Sequence, residues 1–221
     1  QPPIVNVIGD HAVDHSHLDE PLHSDGEGVA AAFSHWVRTS RTSRSVGRDA
    51  AEAVAAARAV PGQIASLILP ADASWNEPGA PAKSLFVPDA ALPPDATIDA
   101  IAEQLQKGER PALLMSGRAL REEALGLAAA IAQATGARII TDTFYARLER
   151  GGERAAIERL PYFPEQAAEA IADVTDLVLV HTKAPVAFFA YPDKPSTIAS
   201  PETHVSTLAE LEEDAEGALR A

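Results

Sequence analysis

Residues 3–11 read Pro-Ile-Val-Asn-Val-Ile-Gly-Asp-His, and this stretch decides the fold class. The run from Ile4 to Ile8 is almost continuously apolar, which is typical of a parallel strand that is covered on both faces. Gly9 follows the run and permits a tight turn. We therefore predict a buried strand that ends at Gly9, in a chain that begins partway through its first domain.

Helices and strands alternate along the rest of the chain. A helix predicted over residues 49–60 ends at Pro61-Gly62 and leads into a strand over 64–69, which makes a βαβ unit. A further helix is predicted over residues 29–37. Short apolar runs predict more strands, over residues 111–116, 138–141, 177–181 and 204–208. The predicted fold class is α/β, with a doubly wound parallel sheet in the second half.

A proline-rich stretch between Ser74 and Pro94 marks a domain boundary. Proline at this density cannot continue a helix or a central strand, and it makes a stiff, extended tether. We therefore predict a first domain over residues 1–75, a linker over 76–94 and a Rossmann-like domain over 95–221.

Composition restricts the partners and the chemistry of the chain. The formal net charge of −14 disfavours nucleic acid and anionic membranes as partners. Because the chain contains 0 cysteines, it has no disulfide, no thiolate metal site and no cysteine nucleophile. No apolar run reaches transmembrane length. An acidic chain without a signal peptide is expected in the cytoplasm.

A stretch rich in histidine and carboxylate residues follows the first predicted strand. Imidazole and carboxylate together suit zinc or a similar ion, so a metal hydrolase is one interpretation. No His-Glu-x-x-His pattern is present, and we prefer a polar loop at the carboxyl edge of a sheet, where α/β proteins bind ligands. The histidines of this region are His11, His15, His17, His23 and His35.

Three other motifs suit an anion or a nucleotide. Residues 26–31 match the dinucleotide pattern GxGxxA, but no strand precedes them, so we regard the match as accidental. Four arginines between residues 38 and 48 are interpreted as a solvated basic strip rather than an anion site. The turns at 116–118 and 182–183 would suit a diphosphate, but a single glycine is not specific and ordinary turns are preferred.

In their order and spacing, several stretches resemble thiamine diphosphate (ThDP)-dependent enzymes of the acetolactate synthase large-subunit type. Residues 61–72, PGQIASLILPAD, are similar to the strand that closes the pyrimidine-binding domain in acetolactate synthase and benzoylformate decarboxylase. Residues 110–120 and 136–140 resemble the opening and the second strand of the Rossmann-like central domain. Three further stretches also resemble the end of the pyrimidine-binding domain, namely residues 3–11, 21–25 and 34–37.

The resemblance implies part of a ThDP- and Mg²⁺-dependent carboligase or decarboxylase that acts on a 2-keto acid as a homo-oligomer, a dimer or a tetramer. It implies that the catalytic glutamate and the GDG motif that hold the cofactor are absent from this chain, so the fragment alone is inactive. It also implies that Asp10, His11 and His15 face the active site as catalytic residues for proton transfer. Asp10 stands where the family often has glutamine. No residue is predicted to bind the cofactor or a metal.

Two alternatives remain open. In the acetolactate synthase group the central domain can hold FAD, so a module that binds FAD or NAD is the first alternative, although no glycine-rich loop supports it. A non-catalytic structural module is the second.

Overall fold

The structure is a computed structural model that describes residues 2–152 and 154–221. The chain divides into two compact units, the first ending at Asp89 and the second beginning at Ala90. Each unit contains a parallel sheet with flanking helices, so the predicted α/β class is confirmed. Among the described residues, no helix combines the length and the apolar character needed to cross a membrane.

The first unit contains a three-stranded sheet of order β1-β3-β2, in which both strand pairs are parallel. Its central strand carries the sequence IASLILP and is largely buried, because neighbours cover it on both sides. Small side chains of one helix, α2, pack closely on this strand. The elements are β1 (Ile4–Asp10), α1 (Gly26–Ala31), β2 (Trp36–Thr39), α2 (Val46–Arg58), β3 (Ile64–Pro70) and α3 (Ala71–Trp75).

The first strand is present where it was predicted, but the prediction that it is buried is wrong in this structure. β1 pairs with β3 along one side, and its other side has no partner strand among the described residues. Val7 is 64% exposed, so the face of the sheet on which its side chain lies is also uncovered at this strand. An apolar run indicates a strand, whereas its burial depends on which other elements pack on it.

The helix predicted over residues 29–37 is wrong in its second half. Helix α1 ends at Ala31, and Trp36–Thr39 forms β2, which pairs with β3. Aromatic and β-branched residues favour a strand at this position, and the tertiary pairing with β3 overrides the alanine-rich start of the segment.

The second glycine of the GxGxxA match, Gly28, has a structural role in α1. The side chain of Asp25 accepts a hydrogen bond of 2.8 Å from the backbone N–H of Gly28 and so caps the helix. A Cβ atom at Gly28 would lie 2.2 Å from Asp25 Oδ2, so a larger residue would displace the side chain that caps the helix.

The second unit contains a five-stranded parallel sheet of order β6-β5-β4-β7-β8. Strands that follow β4 in the chain lie on both sides of it, so the strand order reverses beside β4, as in a doubly wound fold. The elements are α4 (Asp95–Lys107), β4 (Pro111–Met115), α5 (Glu122–Thr135), β5 (Arg138–Thr141), β6 (Glu158–Arg159), α6 (Pro164–Ala170), β7 (Asp176–Val180), β8 (His204–Ala209) and α7 (Ala215–Arg220).

Alternate residues of the central strands of this sheet belong to two cores. Leu113 and Val178 lie in a core with α4, α5 and α7, whereas Leu114 and Leu177 lie in a core with α6. Because side chains alternate across a strand, helices on both faces require the near-continuous apolar sequence that predicted these strands.

The proline-rich stretch has no helix or strand between residues 77 and 90. Part of it is attached to the first unit, where Ser43 Oγ donates a hydrogen bond of 2.6 Å to the carbonyl oxygen of Glu77. The boundary between the two compact units falls after Asp89, inside the segment predicted as a linker. The domain names given to the two units stay predictions.

Candidate functional site

The loop over residues 10–25 follows β1 at the carboxyl edge of the first sheet. The backbone N–H of Val13 donates a hydrogen bond of 3.1 Å to Asp72 Oδ1, in the helix that directly follows β3. The loop is therefore attached to the ends of two neighbouring parallel strands. This edge of an α/β sheet is where ligands usually bind.

The three residues predicted as catalytic lie in this loop. Asp10 is the last residue of β1, and its Oδ1 accepts a hydrogen bond of 2.8 Å from the backbone N–H of His11. The rings of His11 and His15 have centroids 6.2 Å apart. Asp10 and His15 are exposed, and His11 is partly buried. The structure brings the three residues together, and their catalytic role stays a prediction.

A fourth residue, Glu20, belongs to the same loop and is one of the unnamed carboxylate residues of the histidine-rich stretch in the sequence. Its Oε1 lies 3.1 Å from His23 Nδ1 and 3.7 Å from His11 Nδ1. Glu20 is only 6% exposed. An acid between histidines was the only available signal, because sequence does not reveal which residue of a loop turns inward.

The contact between Glu20 and His23 changes the ionisation of both groups. The pKa of His23 is raised, first by its hydrogen bond to Glu20 and then by the negative charge of that carboxylate. The pKa of Glu20 is lowered, first by a hydrogen bond from its own backbone N–H, with burial acting in the opposite direction and His23 adding to the lowering. The pair therefore favours a carboxylate beside an imidazolium.

The histidine-rich stretch does not gather all its histidines. The backbone N–H of His35 donates to Ile64 O over 3.0 Å, at the amino edge of the sheet, far along the strands from His11. Across the residues that the structure describes, no three His, Cys, Asp or Glu side chains are arranged to hold a metal ion. The metal-hydrolase interpretation therefore has no ligand set in that part of the chain.

Two arginines of the predicted basic strip are held by a buried carboxylate. Arg38 Nη1 lies 3.2 Å and Arg48 Nη2 lies 3.0 Å from Oδ1 of Asp49, which is 2% exposed. Ser40 Oγ donates a hydrogen bond of 2.8 Å to the other carboxylate oxygen. This network connects β2 to α2, so Arg38 and Arg48 have a structural role.

A second candidate site is a cavity of about 390 Å³ at the carboxyl edge of the second sheet. Thr182 Oγ1 donates to both carboxylate oxygens of Asp142, over 2.9 and 2.8 Å. Burial raises the pKa of Asp142, and the hydrogen bond from Thr182 acts in the opposite direction. Lys183 also lines the cavity. A partly buried carboxyl group and an amine therefore face the same space.

Aromatic side chains form one wall of this cavity. The ring centroids of Phe144 and Phe188 are 5.4 Å apart, and Tyr162 lies 5.9 and 5.8 Å from those two rings. Further contacts extend the cluster to Phe163, Phe189 and Tyr191. All six are exposed. Exposed apolar patches next to a concavity usually mark a binding site.

The turn at 116–118 is packed against a buried histidine. Gly117 has a φ of +55° and begins a short 3-10 helix, and a Cβ atom there would lie 3.5 Å from His181 Cβ. Nε2 of His181 lies within hydrogen-bonding distance, 2.8 Å, of the carbonyl oxygen of Glu213. Burial lowers the pKa of this histidine. His181 thus occupies the space next to the turn.

No protein-family model matches the chain. The chain is 44% identical over 208 residues to a protein of Mycobacterium tuberculosis named IlvX. IlvX is provisionally described as an acetolactate synthase large subunit. The match covers 94% of this chain and 40% of IlvX, so the chain spans about two-fifths of the length of this relative.

Three solved structures share the fold over almost the whole of this chain. In each case the match covers less than half of the length of the solved structure. A provisionally assigned thiamin diphosphate-dependent enzyme from Mycobacterium smegmatis matches with a TM-score of 0.79 at 19% identity, over 98% of this chain and 44% of that one. The 4-hydroxybenzoylformate decarboxylase of Rhodococcus jostii RHA1, which is thiamine diphosphate-dependent, matches with a TM-score of 0.75 at 16% identity, over 98% and 41%. Benzoylformate decarboxylase from Polynucleobacter necessarius matches with a TM-score of 0.77 at 17% identity, over 99% and 43%. At these identities the likeness shows the fold alone.

Proposed function

This chain is a relative of the thiamine diphosphate-dependent enzymes of the acetolactate synthase type, and from that premise we propose that it is part of an enzyme acting on a 2-keto acid. The resemblance predicted from the sequence is confirmed by the match to IlvX. The reaction is carboligation or decarboxylation. Two structural relatives are named for decarboxylating benzoylformate and its 4-hydroxy derivative, which are 2-keto acids, and this supports the substrate class.

The proposed role of this chain is to provide one side of the active site. The observation that carries the proposal is the grouping of Asp10, His11 and His15 in one loop at the carboxyl edge of a parallel sheet. Imidazole is the side chain best suited to exchange protons near neutral pH, so we assign proton transfer to and from the substrate to His11 and His15. Asp10 supports the start of the loop through its bond to the backbone of His11.

The first unit is proposed to be the end of a pyrimidine-binding domain and the second a central domain, in a cytoplasmic dimer or tetramer. The residues described here do not by themselves fit ThDP and Mg²⁺. The sequence contains no Gly-Asp-Gly motif, and the described residues contain no group of three metal-binding side chains. ThDP would supply the carbanion chemistry when bound, and its diphosphate and metal would be held by parts of the enzyme outside these 221 residues.

The proposal predicts a difference between the full-length protein and the chain of 221 residues alone. The full-length protein is expected to consume pyruvate or benzoylformate only when ThDP and Mg²⁺ are present. The chain alone is expected to show no turnover and no heat of ThDP binding in calorimetry, with folding verified by circular dichroism. A full-length protein that consumes no 2-keto acid would contradict the function, and tight ThDP binding by the chain alone would contradict the assignment of its cofactor site.

A second candidate function is the binding of a nucleotide such as FAD or NAD by the second unit. It is favoured by the cavity beside Asp142, which follows β5, the neighbour of β4. In dinucleotide-binding folds an acidic residue of this kind accepts hydrogen bonds from a ribose, and aromatic walls such as Phe144 and Phe188 suit a flat ring. The missing glycine-rich loop after β4 counts against this function.

Nucleotide binding is tested by titrating FAD and NAD into the full-length protein. We expect Asp142→Ala to weaken binding by about tenfold or more, because it removes the charged acceptor for the ribose. Asp99→Ala, at an exposed position of α4, is the matched control and should bind like the wild type. If neither nucleotide binds the wild type in the micromolar range, this second candidate is rejected.

A further inference from the structure

Glu20 is a buried carboxylate inside an otherwise exposed loop. The residues on either side of it, 14–19 and 21–25, are exposed, whereas its own side chain is 2% exposed. Charged side chains are rarely buried unless they are paired, because burial removes the water that stabilises the charge. The inward position of Glu20 therefore needs an explanation.

One carboxylate oxygen of Glu20 faces two imidazole rings. Oε1 is within hydrogen-bonding distance of His23 Nδ1, at 3.1 Å, and lies 3.7 Å from His11 Nδ1. Both rings are partly exposed, at 35% for the His11 side chain and 45% for that of His23. Each ring therefore has one nitrogen facing the carboxylate and the other, Nε2, on the far side of the ring.

The other oxygen of Glu20, Oε2, is buried without a hydrogen-bond partner in the part of the chain that the structure describes. A buried acceptor that makes no bond costs free energy, so native proteins keep such atoms mainly where they serve a function or receive a partner from elsewhere.

The backbone next to Glu20 is also held in an unfavourable conformation. Asp19 has a φ of 52° and Leu22 a φ of 69°, both in the left-handed region that favours glycine. Leu22 is 93% exposed, so the packing of its side chain does not account for its conformation. Strained backbone of this kind clusters at functional sites, and here it lies on both sides of the buried Glu20.

We propose that Glu20 is a positioning residue of the candidate active site. Its Oε1 accepts a hydrogen bond from Nδ1–H of His23, which fixes that ring, and its negative charge attracts the ring of His11, whose Nδ1 lies 3.7 Å away. Each Nε2 stays available to exchange a proton with the substrate. A carboxylate that orients an imidazole through Nδ1–H selects the tautomer in which Nε2 can act as a base. This inference rests on the proposed function and adds Glu20 and His23 to the residues predicted from the sequence.

The protonation of His23 gives a direct test. Its charged form is favoured by Glu20 first, and the carboxylates of Asp19 and Asp10 act in the same direction. We expect Glu20→Gln to lower the pKa of His23, because the amide keeps the shape of the side chain and removes its charge. The pKa is measured in the full-length protein from the pH dependence of hydrogen exchange at the imidazole C2 position, followed by mass spectrometry.

Two comparisons complete the test. Glu20→Asp should retain part of the effect on His23, and Asp14→Asn in the same loop should leave the pKa of His23 unchanged. An unchanged His23 titration in Glu20→Gln overturns the inference. If the pKa of His23 moves but the pH profile of kcat/KM does not, the contact is supported and the proposed catalytic role of the loop is rejected.

Discussion

Replacing His11 by glutamine is expected to lower kcat of the full-length enzyme by about a hundredfold or more. General acid–base catalysis by a positioned histidine typically contributes at least this much, and glutamine cannot exchange a proton near neutral pH. His11 is the central residue of the loop, because its backbone bonds Asp10 and its ring faces both His15 and Glu20. The measurement is the initial rate of 2-keto acid consumption at saturating substrate and ThDP, repeated between pH 5 and 9.

His35→Gln is the matched control for this experiment. His35 belongs to the same unit but lies at the amino edge of the sheet, where its backbone bonds Ile64 O. We expect this variant to keep the wild-type kcat and pH profile. Equal rates for His11→Gln and His35→Gln would show that the carboxyl-edge loop takes no part in the reaction.

Replacing Asp49 by alanine is expected to destabilise the first unit by about 1–3 kcal/mol, the usual cost of removing one partner from a buried hydrogen-bond network. Asp49 Oδ1 accepts hydrogen bonds from Arg38 and Arg48, and Ser40 donates to Oδ2. The variant removes these bonds between β2 and α2, whereas Arg38 keeps its ion pair with Glu52 of α2. The measurement is the free energy of unfolding in urea.

Tryptophan fluorescence reports this unfolding selectively. The chain contains two tryptophans, Trp36 and Trp75, and both belong to the first unit. Trp36 packs on the core of that unit and Arg38 lies over its ring, so its emission should change when the network is lost. An exposed carboxylate, Asp14, provides the control, because Asp14→Ala should leave the transition in place. An Asp49→Ala variant with wild-type stability would contradict the structural role of the network.

The stability of the first unit should also depend on pH through Asp49. Burial alone would raise the pKa of Asp49, but hydrogen bonds from Ser40, Arg48, Ser45 and Arg38 outweigh it and lower the pKa below the ordinary value of 3.8. A carboxyl group with a lowered pKa stabilises the fold above the pKa of the unfolded chain and loses this contribution as pH falls through the folded pKa. Below about pH 4, the difference between the wild type and Asp49→Ala should therefore shrink.

Local sequence patterns predicted most of the strands. The run at 138–141 coincides with β5, and the runs at 111–116 and 177–181 lie within one residue of β4 and β7. These strands are buried by helices on both faces, and that environment requires the continuous apolar sequence from which they were predicted. By contrast, β6 consists of two residues, Glu158–Arg159, and carries no apolar pattern to detect.

The candidate site was predicted only in part. Asp10, His11 and His15 were identifiable because they follow an apolar run that ends in glycine, and the carboxyl end of a parallel strand is the usual place for a site. Glu20 could not be separated from the other acids of the loop. Its importance comes from its burial beside His11 and His23, which depends on how the backbone turns at Asp19 and Leu22.

The sequence by itself determined the α/β class, the positions of most strands and the resemblance to ThDP-dependent enzymes. These features follow from the period and composition of short segments, which neighbouring residues set among themselves. Tertiary structure alone decided that β1 lies at an edge, that residues 36–39 pair with β3, and that Glu20 turns inward. Each of these depends on contacts between residues distant in sequence or on the path of a loop, and no local pattern encodes which distant groups will meet.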